Sequence, residues 1–185
     1  MGTKLWVCRL TRINKITTKP ISFFTIKGRI KEMVITAGGE NIAPTPIEDT
    51  IKEMLPCLSN VIVIGDKKKF LSCFLTFKNN NTPMEMPTDS LSPAAIDWCR
   101  SAGSNATKVS DILSDPDKNQ TLMAAVQDGI DRANERAVSR AACVQKWAIL
   151  PLDISIPTGE LGPTLKLKRF AFTKKYTDEI ENFYC

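Results

Sequence analysis

The stretch from Gly28 to Glu48, GRIKEMVITAGGENIAPTPIE, constrains the fold more than any other part of the chain. Gly28-Arg29 offers a turn carrying a planar guanidinium with five donors. Met33-Val34-Ile35 is a short run of β-prone side chains. Gly38-Gly39 follows, and glycines let the backbone take positive φ or pass close to a ligand. Thr45-Pro46-Ile47-Glu48 then fits a capping box, with Thr45 as N-cap, Pro46 as the first helical residue and Glu48 reaching back. Turn, strand, glycine loop and helix start in so short a span read as a moving, ligand-handling element.

Downstream, Ile47, Ile51, Met54 and Leu55 recur at helical spacing and stop at Pro56, which predicts a helix over about 46–55 with its apolar stripe on a sheet. NVIVIG (60–65) and FLSCFLTFK (70–78) flank a Gly-Asp-Lys-Lys turn and read as an antiparallel hairpin, the centre of that sheet. Residues 79–92 are polar with Pro83 and Pro87 and read as a loop. Ser92-Pro93 opens a helix to about Ala102. Asp115-Pro116 reads as another helix start, with Leu122, Val126, Ile130, Ala133 and Ala137 on one face and an end near Arg140. VQKWAIL (144–150) reads as a strand, Pro157, Gly159, Gly162 and Pro163 as a loop, and Tyr176 to Tyr184 as a terminal helix. Trp98, Trp147, Phe70, Phe74 and Phe77 are assigned to the core. This order defines a small α+β domain with a short antiparallel or mixed sheet flanked by helices.

Composition excludes several classes. The 185 residues are 43% apolar and 24% charged, ordinary for one globular domain. The net charge is +5, but residues 1–27 hold six basic side chains and no acid, so the rest sums to −1. The basic character belongs to the leader, and a nucleic-acid surface on the domain has little support. The chain has no histidine, which excludes Cys/His zinc sites and histidine-based triads within it. The six cysteines form no CxxC pair and read as reduced thiols; no metal site is expected. No apolar run is long enough to span a bilayer. Residues 1–22 read as a disordered basic leader, with a mitochondrial targeting segment as the lesser alternative.

A second motif, TGELGPTLKLKR at 158–169, gives the first a counterpart. Together the two resemble the hinge with its glycine loop and the lysine loop of the small C-terminal domain of adenylate-forming (AMP-binding) enzymes, the acyl-CoA synthetases among them. GGENIAP, GDKKKFLS, VQKWAILP and GELGPTLKLKR most resemble the bubblegum-type branch of the long-chain fatty acyl-CoA synthetases, from about Phe23 to Tyr184. The domain is accordingly taken as 23–185.

The resemblance implies ligation of a fatty acid to coenzyme A. The carboxylate attacks the α-phosphate of ATP to give acyl-adenylate and pyrophosphate, and the coenzyme A thiol then displaces AMP. Lys166 aligns with the catalytic lysine of the family, with Lys168 as its rival two residues on. An ammonium there offsets repulsion between carboxylate and phosphate oxygens, worth about 4 kcal/mol at 4 Å and an effective dielectric of 20. The small domain turns between half-reactions, and Lys31 occupies the hinge position. Arg29 resembles the arginine that binds the ribose hydroxyls of ATP or AMP. Gly38, Gly39 and Glu40 align with the loop lining the pantetheine channel of coenzyme A. Lys67-Lys68-Lys69 read as a solvated turn, with the coenzyme A phosphates as the lesser alternative.

The family's large N-terminal domain, with its phosphate loop, adenine pocket, fatty-acid tunnel and most of its contacts to magnesium-bound ATP, is not found before Gly28. The expectation is therefore a fragment that is inactive alone. The runner-up is a non-catalytic module docking on a full-length synthetase. A cytoplasmic or peripheral membrane location is expected; leader-driven binding to a membrane or nucleic acid ranks last.

Overall fold

A computed structural model describes residues 5–13, 20–29, 33–114 and 119–185, the first two segments by their backbone alone. Strands β1 (Leu5–Ile13) and β2 (Pro20–Arg29) pair antiparallel, from Leu5 opposite Arg29 to Ile13 opposite Pro20. The leader expected to be disordered thus carries strand backbone, in keeping with its β-branched and aromatic content.

Two short strands, β3 (Val34–Ile35) and β4 (Asn41–Ile42), bracket the glycine loop, and helix α1 (Pro44–Met54) follows at once. The capping box does not form. Ala43 is the N-cap and has no side-chain cap. Pro44 opens the helix because its fixed φ and missing N–H suit the first position. Glu48 therefore sits deeper than a capping residue and is free for other partners.

The main sheet has the order β5 (Leu58–Ile64), β6 (Leu71–Phe77), β7 (Val144–Ile149). β5 and β6 form the expected antiparallel hairpin, whereas β7 runs parallel to β6 after a crossover through helices α2 (Pro93–Ser101), α3 (Val109–Ser114) and α4 (Gln120–Glu135). The central strand β6 is buried at every position, and its two faces serve two cores. Leu71, Cys73, Leu75 and Phe77 pack with Ile51, Leu55, Leu122, Val126 and Ile130 from α1 and α4. Phe74 faces the other way, into Ile62, Leu161, Phe172, Ile180 and Phe183. Phe74 and Phe77 are core as expected; Phe70, Trp98 and Trp147 are only partly buried.

Helix α2 starts where Ser92 accepts a hydrogen bond from the Ala95 N–H. Asp115-Pro116 lies outside the described residues. Helix α4 stops at Glu135 rather than near Arg140, because the Asn134 amide pairs with both the N–H and the C=O of Val144, at 2.9 Å each, and turns the chain into β7. The expected terminal helix is α6 (Thr177–Asn182), and a further helix, α5 (Arg169–Lys175), precedes it across Tyr176. Among the described residues, no helix is long and apolar enough to cross a membrane.

Candidate functional site

The loop between β7 and α5 ends in a small hairpin. Leu161 bridges Leu167, the Gly162 N–H donates to the Lys166 carbonyl at 2.8 Å, and the Leu165 N–H donates to Gly162 at 2.9 Å. Leu165 takes a φ of 58°, the left-handed region, to close this turn. Lys166 stands exposed beside the turn. Lys168 is nearer the base: its N–H donates to the Glu160 carbonyl at 2.7 Å, and its Cε packs back toward Gly162. Leu167, between the two lysines, packs against the second core.

Each foot of the hairpin is tied down by a carboxylate. At the outgoing foot, Arg169 donates from Nη2 to both oxygens of Glu48, at 2.7 and 2.9 Å, and from Nη1 to the Val63 carbonyl at 3.2 Å. Glu48 also accepts the Val63 N–H at 2.9 Å. Val63 lies on β5, an edge strand of its sheet, so the pair satisfies backbone groups that an edge would leave open. At the incoming foot, the buried Glu160 accepts from the Lys175 ammonium and from the Tyr176 hydroxyl at 3.3 Å. Burial pushes the Glu160 carboxyl up, but the hydrogen bond from Lys175 leads the effects, its charge among them, that outweigh it and hold the group below the usual carboxylate range. Burial and the adjacent Glu160 push the Tyr176 phenol up. Sequence reading missed these roles of Glu48, Arg169, Glu160 and Lys175. Glu48 had been given to a capping box, and no local periodicity links it to a partner 121 residues away.

The glycine loop is built separately. The Gly39 N–H donates to the Thr36 carbonyl, and the Glu40 N–H to the Thr36 hydroxyl. Gly38, Gly39 and Glu40 are exposed, and Gly39 has a φ of 82°. The loop hangs on the lysine turn: the Ala37 N–H donates to the Lys68 carbonyl at 2.9 Å, and the Lys67 N–H to Ile35 at 2.7 Å. Lys68 pairs with Glu181 at 2.6 Å and lies over the Tyr184 ring, while Lys67 and Lys69 are exposed. Lys166 and Arg169 line one cleft of about 430 Å³ with Glu48, Asp49 and Lys52. The glycine-loop residues are not part of its wall. Arg29 ends β2, with its side chain outside the described residues, and Lys31 lies outside them altogether. Among the described residues, no group of three or more Cys, Asp or Glu could hold a metal ion.

The small α+β scaffold has known counterparts. Residues 31–115 match the family described as the AMP-binding enzyme C-terminal domain. The fold is shared with the adenylation domain of a carboxylate reductase from Mycobacterium chelonae, with a TM-score of 0.60 at 16% identity over 87% of this chain and 20% of that one. The corresponding domain from Segniliparus rugosus, solved with AMP and a co-purified carboxylic acid, gives 0.59 at 15% identity over 87% and 21%. Residues 31–115 thus belong to the C-terminal domain of AMP-binding enzymes, and the chain around them shares the fold of such adenylation domains.

Within that family its sequence falls with the long-chain fatty acyl-CoA synthetases of the bubblegum-type branch. It is 54% identical over 163 residues to the long-chain-fatty-acid–CoA ligase ACSBG2 of Xenopus laevis and 48% identical over 163 residues to ACSBG1 of Bos taurus. Each match covers 88% of this chain and 22% of the relative, so the chain spans about a fifth of the relatives' length.

Proposed function

We propose that this chain supplies a long-chain fatty acid–CoA ligase with its adenylation lysine, Lys166, and with the loop Gly38-Gly39-Glu40 that borders the coenzyme A channel. The observation that carries the reading is the placement of Lys166 at the exposed end of a hairpin whose feet are held by buried carboxylates. Among the described residues, no carboxylate lies within ion-pair distance of its ammonium. A free ammonium on a fixed support suits a transition state that gathers negative charge on oxygen. Lys168, folded back over Gly162, is placed less well for that role. The glycine loop fits close passage of a pantetheine chain, since a Cβ at Gly39 would meet nothing within 4 Å.

In this reading ATP, magnesium and the fatty acid are held mainly by a large domain outside these residues, and Arg29 and Lys31 supply ribose contact and hinge. The 185 residues alone do not activate a fatty acid. The test is a chimera in which the matching residues of this chain replace those of the Xenopus relative. Lys166→Ala should lower ATP–pyrophosphate exchange with palmitate by at least about 100-fold, the size of a lost electrostatic contact. Thioester formation from supplied palmitoyl-adenylate should persist. Equal loss of both steps would overturn the assignment, as would pyrophosphate release by the isolated chain.

A further inference from the structure

The ion pair between Glu48 and Arg169 holds three structural elements at once, and its place in the chain gives it a second consequence. Arg169 follows Lys166 by three residues, a chain length of at most about 11 Å, and both side chains line the same cleft. The guanidinium uses both terminal nitrogens, one on the two Glu48 oxygens and one on the Val63 carbonyl. A planar fork so engaged fixes direction as well as distance. Both partners are mostly buried, with side chains 25% and 11% exposed, and their polar atoms are engaged with each other and with Val63.

We infer that Glu48 and Arg169 are positioning residues for Lys166, an inference that rests on the proposed role of that lysine. Helix α5 has no side-chain cap at Lys168, so the Arg169 contacts fix the chain where the hairpin meets the helix. The opposite strand is joined to this foot through the Lys168 to Glu160 backbone bond. The glycine loop takes its own support from the Lys67 and Lys68 backbone and hydrogen-bonds to neither partner. Loosening the pair therefore shifts the lysine hairpin while the loop used in thioester formation keeps its geometry. Lysine is a poor substitute for Arg169, since one ammonium cannot span both Glu48 oxygens and the Val63 carbonyl.

The same chimera provides the test, with Arg169→Lys, Glu48→Gln and Lys166→Ala compared in both half-reactions. Arg169→Lys and Glu48→Gln should each lower the adenylation kcat by about 10- to 100-fold, as expected for a reacting group displaced by about 1 Å. The KM for palmitate should stay within about twofold, and thioester formation from supplied palmitoyl-adenylate should be unchanged. A plain strut would give a different pattern, with both half-reactions falling together in proportion to the folded fraction, and that result overturns the inference. So does an unchanged adenylation kcat in a folded variant. If Lys166→Ala is silent, the reading of the lysine itself fails; if it is crippled while both pair variants are normal, only the positioning role fails. Should one pair variant not fold, the other decides, because Glu48→Gln preserves volume and one acceptor.

Discussion

Lys175, the last residue of α5, places its ammonium on the carboxylate of Glu160, which is only 1% exposed at the incoming foot of the lysine hairpin. The other Glu160 oxygen is buried without a hydrogen-bond partner among the described residues. A buried carboxylate served on one side only depends heavily on that side, because burial otherwise disfavours its charge. Removing the ammonium with Lys175→Met should cost about 2 kcal/mol, the range for leaving a buried acceptor short of a partner, since the Lys175 side chain is itself 45% exposed and screened by solvent. Urea unfolding checks this, and a loss below about 1 kcal/mol would contradict it.

The same pair sets a response to acid. The Glu160 carboxyl titrates below its ordinary value in the folded protein, so its contribution to stability is present above the unfolded value of about 4.3. It is lost as pH falls through the lower folded value. Stability between pH 5 and pH 3 should therefore fall less steeply in Glu160→Gln than in the parent chain. Some acid slope should remain in both, because the Ser110 hydroxyl holds the Asp89 carboxyl low as well. Identical slopes in thermal melts across this range would show that Glu160 is not the group responsible.

Thiols give the opposite slope. Burial pushes Cys57 up to about 12 and Cys99 up to about 11, and raises Cys73 further still. An unfolded thiol ionises near 8.5, so folding stability should decline as pH rises above that value. Iodoacetamide at pH 8 should label the exposed Cys185 and the partly exposed Cys143 while sparing Cys57, Cys73 and Cys99 until the chain unfolds. Peptide mapping by mass spectrometry reads this directly.

Gly129 invites a substitution that local propensity favours and packing forbids. Alanine is the better helix former by about 1 kcal/mol. A Cβ at this position of α4, however, would lie 2.4 Å from Cδ2 and 2.6 Å from Cγ of Leu55, a residue with no exposed surface. Leu55 closes α1 against α4 and cannot swing into solvent. Gly129→Ala should thus destabilise by about 1–3 kcal/mol, the range for overpacking a core. A stabilised variant in urea denaturation would mean that α1 and α4 separate more easily than their contact indicates.

Elements governed by local period were legible in the sequence, and those governed by distant partners were not. The apolar spacing of Ile47, Ile51 and Leu55 gives α1 because one face must meet the sheet. The continuous run in β6 is apolar because that strand is central and buried on both faces. The helix start was misplaced because a Thr-Pro-Ile-Glu pattern fits a capping box locally, while Glu48 is claimed by Arg169 and Val63. In the candidate site, Lys166 and the paired glycines are nominated by their motifs. The carboxylates that hold the hairpin could not, since each meets its partners only after the chain has folded.

Gly38 and Gly39 separate a folding requirement from a ligand requirement. Gly39 has a φ of 82°, which an L side chain adopts at a cost of about 1 kcal/mol, although a Cβ there would have open space. Gly38 has no such φ, and its added Cβ would meet only the Thr36 hydroxyl at an ordinary 3.8 Å. Gly38→Ala should therefore fold as the parent does, with an unchanged melting temperature. If the loop borders the coenzyme A channel, that methyl group projects into the path of the ligand. In the chimera, Gly38→Ala should then raise the KM for coenzyme A or slow thioester formation by about tenfold, the effect of roughly 1.4 kcal/mol. Pyrophosphate exchange should stay intact. Gly39→Ala should add a small loss of stability to the same defect. Should Gly38→Ala leave thioester formation untouched, the glycine pair serves the β3–β4 turn alone and the channel assignment falls, with the role of Lys166 unaffected.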